Sequence, residues 1–183
     1  LVEDSVRYYS TYLPLLYKLV LQQNQIAIRD ALNEKQQLLR KRARPKVLLA
    51  TCYDEAIETY RRYETNIIGV ISDIGFVLHK GDPSSTEKLD AGIDLCRLIR
   101  KENPTMPFLM QSSQEAMSSI AKQLKVGFVV KTSKTLTQEL SAYIEREFGF
   151  GDFVAIDPRS GKEIARASDL EAFERVISTI SSA

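Results

Sequence analysis

The stretch "NIIGVISDIGFVLHKGDP", residues 66–83, holds a short, largely β-branched run, Ile67 to Ile71, that ends on Asp73 and enters a loop. A run of that length and composition reads as a parallel strand buried on both faces. A carboxylate just past such a strand stands at its C-terminal end, the edge of an open α/β sheet where ligands bind. Asp73 could equally just start a turn. The decision rests on what stands at the ends of the other strands.

Four further strands are expected. The first is short, at Leu1-Val2, and ends in Glu3-Asp4. "PKVLLATC" (45–52), "MPFLMQSS" (106–113) and "VGFVVKTS" (126–133) are the others. Helical patterns separate them: residues 5–44, then 53–64, 90–103, 114–125 and 135–149. Strand–helix alternation with short connections implies a parallel sheet with helices on both faces. Five of each match a flavodoxin-like doubly wound sheet in the order 2-1-3-4-5, an α/β fold whose switch point lies between strands one and three.

The first helix is far longer than usual. Tyr9, Leu13, Leu16, Val20, Ala27, Ala31 and Leu38 recur at three- and four-residue spacing, with Asn24 and Glu34 in the same register. Pro14 predicts a kink near Leu13 or a helix start close to it. Beyond Ala27 little of a small domain remains to cover the stripe, so a coiled-coil or partner-helix contact is expected there, making the chain a homodimer. "RKRAR" (40–44) is a solvated helix end or a basic patch. After residue 149, "FVAIDPRSGKEIARA" carries a hairpin signal, and Ser168 with Glu171 a capping box for a last helix. The expected division is therefore 1–149 for the main domain and 150–183 for a hairpin-helix extension.

Composition narrows the function classes. The 183 residues carry a net charge of +1, with 44% apolar and 27% charged. Bulk charge makes no case for nucleic acid. No apolar run approaches a membrane span and no signal peptide is visible, so no membrane partner is expected and the cytoplasm is the expected compartment. Cys52 and Cys96 fit a reducing compartment as small buried hydrophobes, and with one histidine, His79, they argue against structural zinc. His79 itself reads as an exposed loop residue. The opening Leu1-Val2 suggests a first strand cut short, in a fragment of a longer protein.

The strand ends then form a constellation. Glu3, Asp4 and Asp73 should converge at the switch point, where three carboxylates repel one another unless a hard cation neutralises them. Oxygen-only ligands suit Mg²⁺. A hydroxyl on the fourth strand (Ser112, with Ser113 as its rival) and an ammonium on the fifth (Lys131) complete a phosphate site.

"LVEDS", "VISDI", "FLMQSS" and "VVKTS", in that order, resemble the receiver domain of two-component response regulators over residues 1–149. The resemblance implies that Asp73 is the phosphoacceptor and that Asp4 binds Mg²⁺, with Glu3 acting directly or through water. It implies the Gly75 backbone carbonyl as a further ligand, Ser112 and Lys131 on the phosphoryl group, and Phe128 as a switching aromatic. The implied partners are a histidine kinase or phosphotransfer protein and a fused or partner output domain; the only chemistry implied is self-phosphorylation. Two departures stand out: Thr132 follows the lysine where receivers usually carry proline, and Phe128 lacks a hydroxyl. "EDSVRYYSTYLPLLYK", "RARPKVLLAT", "GVISDI" and "FGFGDFVAIDPRSGKEIARASDLE" further resemble a receiver module fused to phosphoenolpyruvate synthase or pyruvate, phosphate dikinase-like enzymes. The rival reading is a pseudo-receiver, a docking or dimerisation scaffold with a silent site. An aspartyl phosphatase of the haloacid-dehalogenase type would need an acid where Gly75 stands.

Overall fold

A computed structural model describes residues 1–29, 45–150, 153–157, 160, 162–167 and 170–181. Helix α1 (Val6–Arg29) runs unbroken through Pro14. The rest of the expected long helix, with Ala31, Glu34, Leu38 and the basic run, lies outside the described residues, as does Ser168 of the expected capping box.

Among the described residues three strands form the main sheet: β1 (Val70–Asp73), β2 (Phe108–Ser112) and β3 (Gly127–Val130), parallel and in chain order. Asp73 pairs with Gln111, and Ser112 with Val130. The five-stranded order 2-1-3-4-5 expected from the pattern is not confirmed: the described residues form three of its strands. The segments at 1–3 and 45–52 contribute single parallel bridges, Val2 with Ala50 and Val2 with Ser72. Backbone bonds still tie them in: Glu3 N–H donates to Ala50 O at 3.0 Å and Asp73 N–H to Val2 O at 2.9 Å. A strand needs a run of such partners, and Leu1–Glu3 offers too few.

Helices α2 (Tyr53–Tyr63), α3 (Ala91–Glu102), α4 (Ser118–Leu124) and α5 (Leu136–Glu147) follow the expected alternation. The two faces of the sheet separate by strand periodicity. Val70, Phe108 and Met110 pack against Ala56, Tyr60, Leu95, Ile99 and Ala121 of α2, α3 and α4. Ile71, Leu109 and Val129 pack against Tyr12, Leu16, Leu19, Leu140 and Ile144 of α1 and α5. Each fully buried aliphatic side chain contributes about 1.5–3 kcal/mol of transfer free energy. Past residue 150 the described residues form an antiparallel hairpin, β4 (Phe153–Ile156) with β5 (Glu163–Ala167), and a helix, α6 (Leu170–Ser181). Among the described residues no helix is long and apolar enough to cross a membrane.

Helix α3 approaches the sheet edge closely. Gly92 N–H donates to Ile74 O at 2.8 Å, and a Cβ on Gly92 would lie 2.0 Å from the Asp73 carbonyl oxygen. Glycine is the residue that permits this approach, and it brings the start of α3 against the backbone of Asp73.

Candidate functional site

The carboxyl edge of the sheet gathers Glu3, Asp4 and Asp73, with one oxygen of each within 4.8 Å of the others. Lys131, one residue past β3, reaches between them. Its Nζ donates to Glu3 Oε2 at 2.6 Å and also to Asp73 Oδ2. Its position follows from the sheet, because Lys131 N–H donates to Ser112 O at 2.9 Å. The Lys131 side chain is 3% exposed and that of Glu3 0%. Burial of two charges is tolerated when they are paired and hydrogen-bonded.

Every acid in the cluster has a fixed partner. Asp73 Oδ1 accepts the Ile74 N–H at 2.7 Å, Asp4 Oδ2 the Val77 N–H at 3.2 Å, and Glu3 Oε1 the Ser5 N–H at 3.2 Å. Gln111 Nε2 donates to Glu3 Oε2 at 3.0 Å, while Gln111 Oε1 is buried and finds no partner among the described residues. Burial, and then the charge of Asp73, push the Glu3 carboxyl up to about 7, against the pull of Lys131. Asp73 is also raised, by burial first, with Lys131 and the Ile74 N–H opposing and Asp4 adding to it. Glu87, on the long loop after Asp73, is raised by burial first and then by the charges of Asp4 and Asp73.

Three carboxylates against one ammonium leave two negative charges unbalanced when all are ionised. Among the described residues the donor set is oxygen only, with no thiolate or imidazole in the cluster. Such a set suits a hard divalent ion such as Mg²⁺ better than zinc.

The remaining expected residues fall as follows. Ser112 is buried at the end of β2, but its hydroxyl accepts the Gln114 N–H at 3.2 Å; Ser113 is exposed. Gly75 lies two residues beyond Asp73, with the Leu89 backbone 3.5 Å from where its Cβ would stand. Phe128 is half-buried against the α2–α3–α4 core rather than in the acid cluster. His79 is exposed and its Nδ1 lies 2.7 Å from Asp54 Oδ2, which raises its pKa. The sequence reading missed Gln111 and Tyr8. Gln111 had a signal, a polar residue inside an apolar strand; Tyr8, whose ring centroid lies 4.3 Å from Lys131 Nζ, had none. Two cavities, of about 700 Å³ over α2 and about 640 Å³ around Leu1, Val47 and Ile68, are lined by none of Glu3, Asp4, Asp73 or Lys131.

No family model matches this chain, and no curated protein matches it. Among solved structures it is similar to a response regulator receiver domain protein from Clostridium thermocellum, at 18% identity and a TM-score of 0.48, over 80% of this chain and 90% of that one.

Proposed function

We propose that residues 1–149 are a phosphoacceptor receiver domain of a two-component phosphorelay, with residues 150–183 as an extension toward an output module. One observation carries the reading: Lys131 bonds Glu3 and Asp73 together at the carboxyl edge of a parallel sheet, with Asp4 completing the acid cluster. Asp73 is the nucleophile. Its carboxylate attacks the phosphorus of a phosphohistidine on a kinase or phosphotransfer protein; a P–O bond forms, the P–N bond breaks and the imidazole leaves. The Ile74 N–H on Oδ1 fixes the rotation of the carboxylate. Lys131, already on Asp73, passes to the oxygens of the transferred group, and Ser112 exchanges its local bond for one to that group. Glu3, Asp4, Asp73 and the Gly75 carbonyl would hold Mg²⁺, which when bound neutralises charge on the acids and the transferring phosphoryl group. Phe128, packed on the α2–α3–α4 core, would relay the change through packing to a fused or partner output domain, a phosphoenolpyruvate synthase-like enzyme being the fusion that the sequence patterns suggest.

Leu21 and Ile26 are exposed on α1 and supply apolar surface for a homodimer, which sedimentation would read. The receiver reading itself is tested by Mg²⁺-dependent binding of beryllofluoride, followed by NMR, with Asp73→Asn as control. Binding is expected to require both Mg²⁺ and Asp73. A folded chain that binds none in Mg²⁺ would overturn the receiver and favour the scaffold.

A further inference from the structure

Lys131 has three donors to place. Two go to Glu3 and Asp73, and the ammonium lies 4.3 Å from the centroid of the Tyr8 ring. Tyr8 sits in the first turn of α1, and that turn is anchored to the site. Glu3 Oε1 accepts the Ser5 N–H at 3.2 Å, and Ser5 O accepts the Tyr8 N–H at 3.0 Å. Arg7 stands farther from the same ring, at 5.9 Å. The lysine side chain is nearly sealed from solvent, so its contact with the ring is a desolvated one, where cation–π attraction is strongest.

We infer that Tyr8 is a positioning residue that keeps the Lys131 ammonium over Asp73 while the phosphoryl group is transferred. The inference rests on the receiver reading. Transfer turns the Asp73 carboxylate into an acyl phosphate whose negative charge sits on the phosphoryl oxygens, so Lys131 must leave Asp73 Oδ2 and pass to those oxygens. Glu3 remains and pulls the ammonium to its own side. The ring face resists that drift, because leaving it exchanges a favourable contact for none.

Two measurements on the full chain separate the inference from the reading beneath it. The first is proton NMR of the Lys131 ε-methylene in the absence of donor. A shift upfield from the ring current is expected in the wild type and in Tyr8→Phe, and its loss in Tyr8→Leu; an unshifted wild-type methylene overturns the placement. The second is the rate of phosphorylation by acetyl phosphate with Mg²⁺. Tyr8→Leu is expected to lose about thirtyfold in the maximal rate at an unchanged half-saturating concentration, the size of a desolvated cation–π contact, and Tyr8→Phe to recover it. A Tyr8→Leu chain that lacks the shift yet reacts as fast as the wild type overturns the role. Failure of every form, wild type included, to take the phosphoryl group overturns the receiver reading and the role in transfer together; the NMR shift then still reports where Lys131 sits.

Discussion

At the residue scale, Glu3 is the group with the least freedom. It is fully buried, it shares one oxygen between Lys131 and Gln111, and its other oxygen takes a backbone N–H. Its carboxyl is raised from an ordinary 4.5 to about 7. In the folded chain it therefore holds a proton that the unfolded chain has already released between those values. Its contribution to stability is full below about 4.5 and is lost as pH rises through about 7. Against the buried Leu1 amine, whose pKa is lowered to about 5, Glu3 is expected to favour the fold as pH is lowered from 7.5 to 5 without divalent cations, and Glu3→Gln should remove that part of the pH dependence. The raised His79 pulls in the same direction. Mg²⁺ favours the ionised acids, so it should stabilise more at pH 7.5 than at pH 5. Thermal melts in chelator and in Mg²⁺ at the two values check this; equal stabilisation by Mg²⁺ at both would count against Glu3 as part of the cation site.

At the element scale, the decisive contact is α3 against the end of β1. Gly92 lies at the start of α3, and the space where its Cβ would stand is taken by the Asp73 carbonyl oxygen, 2.0 Å away. A backbone atom cannot move aside as a flexible side chain can, so Gly92→Ala must push the helix from the strand. Overpacking of this kind costs about 1–3 kcal/mol. The same shift displaces Asp73, so beryllofluoride binding should weaken beyond what the loss of stability explains. Chemical denaturation together with a binding titration checks both; a variant that is destabilised but binds normally would show that the site tolerates the displacement.

At the scale of the whole molecule, the described chain has a two-faced α/β body and a hairpin-helix unit that pairs within itself. The hairpin is held by β4 and β5, while Phe150, just before it, still packs against the α1–α5 core. A chain ending after Phe150 is therefore expected to keep its melting temperature within about 4 °C, the shift that roughly 1 kcal/mol produces in a domain of this size. A larger loss would mean that residues 151–183 belong to the same cooperative unit.

Much of this architecture was legible along the chain. Periodicity of two against periodicity of three to four separates strands from helices locally, and acids, a hydroxyl and a lysine standing after apolar runs need no long-range information to be noticed. The positions of Glu3, Asp4, Asp73, Ser112 and Lys131 were marked in this way. Strand length was not, because a strand is defined by its neighbour: Pro45–Cys52 is as apolar as a buried strand, yet only Ala50 finds a bridge partner. The contacts that bring the acids together were equally out of reach. Lys131 meets Glu3 across 128 residues, and Gln111 meets it across 108. Tyr8 looks like any core aromatic on an amphipathic helix. Local sequence sets which residues stand at the ends of elements, since backbone propensity and burial pattern act over a few residues. Only tertiary packing decides which ends meet, since the partners of a buried charge are chosen by the three-dimensional path of the chain.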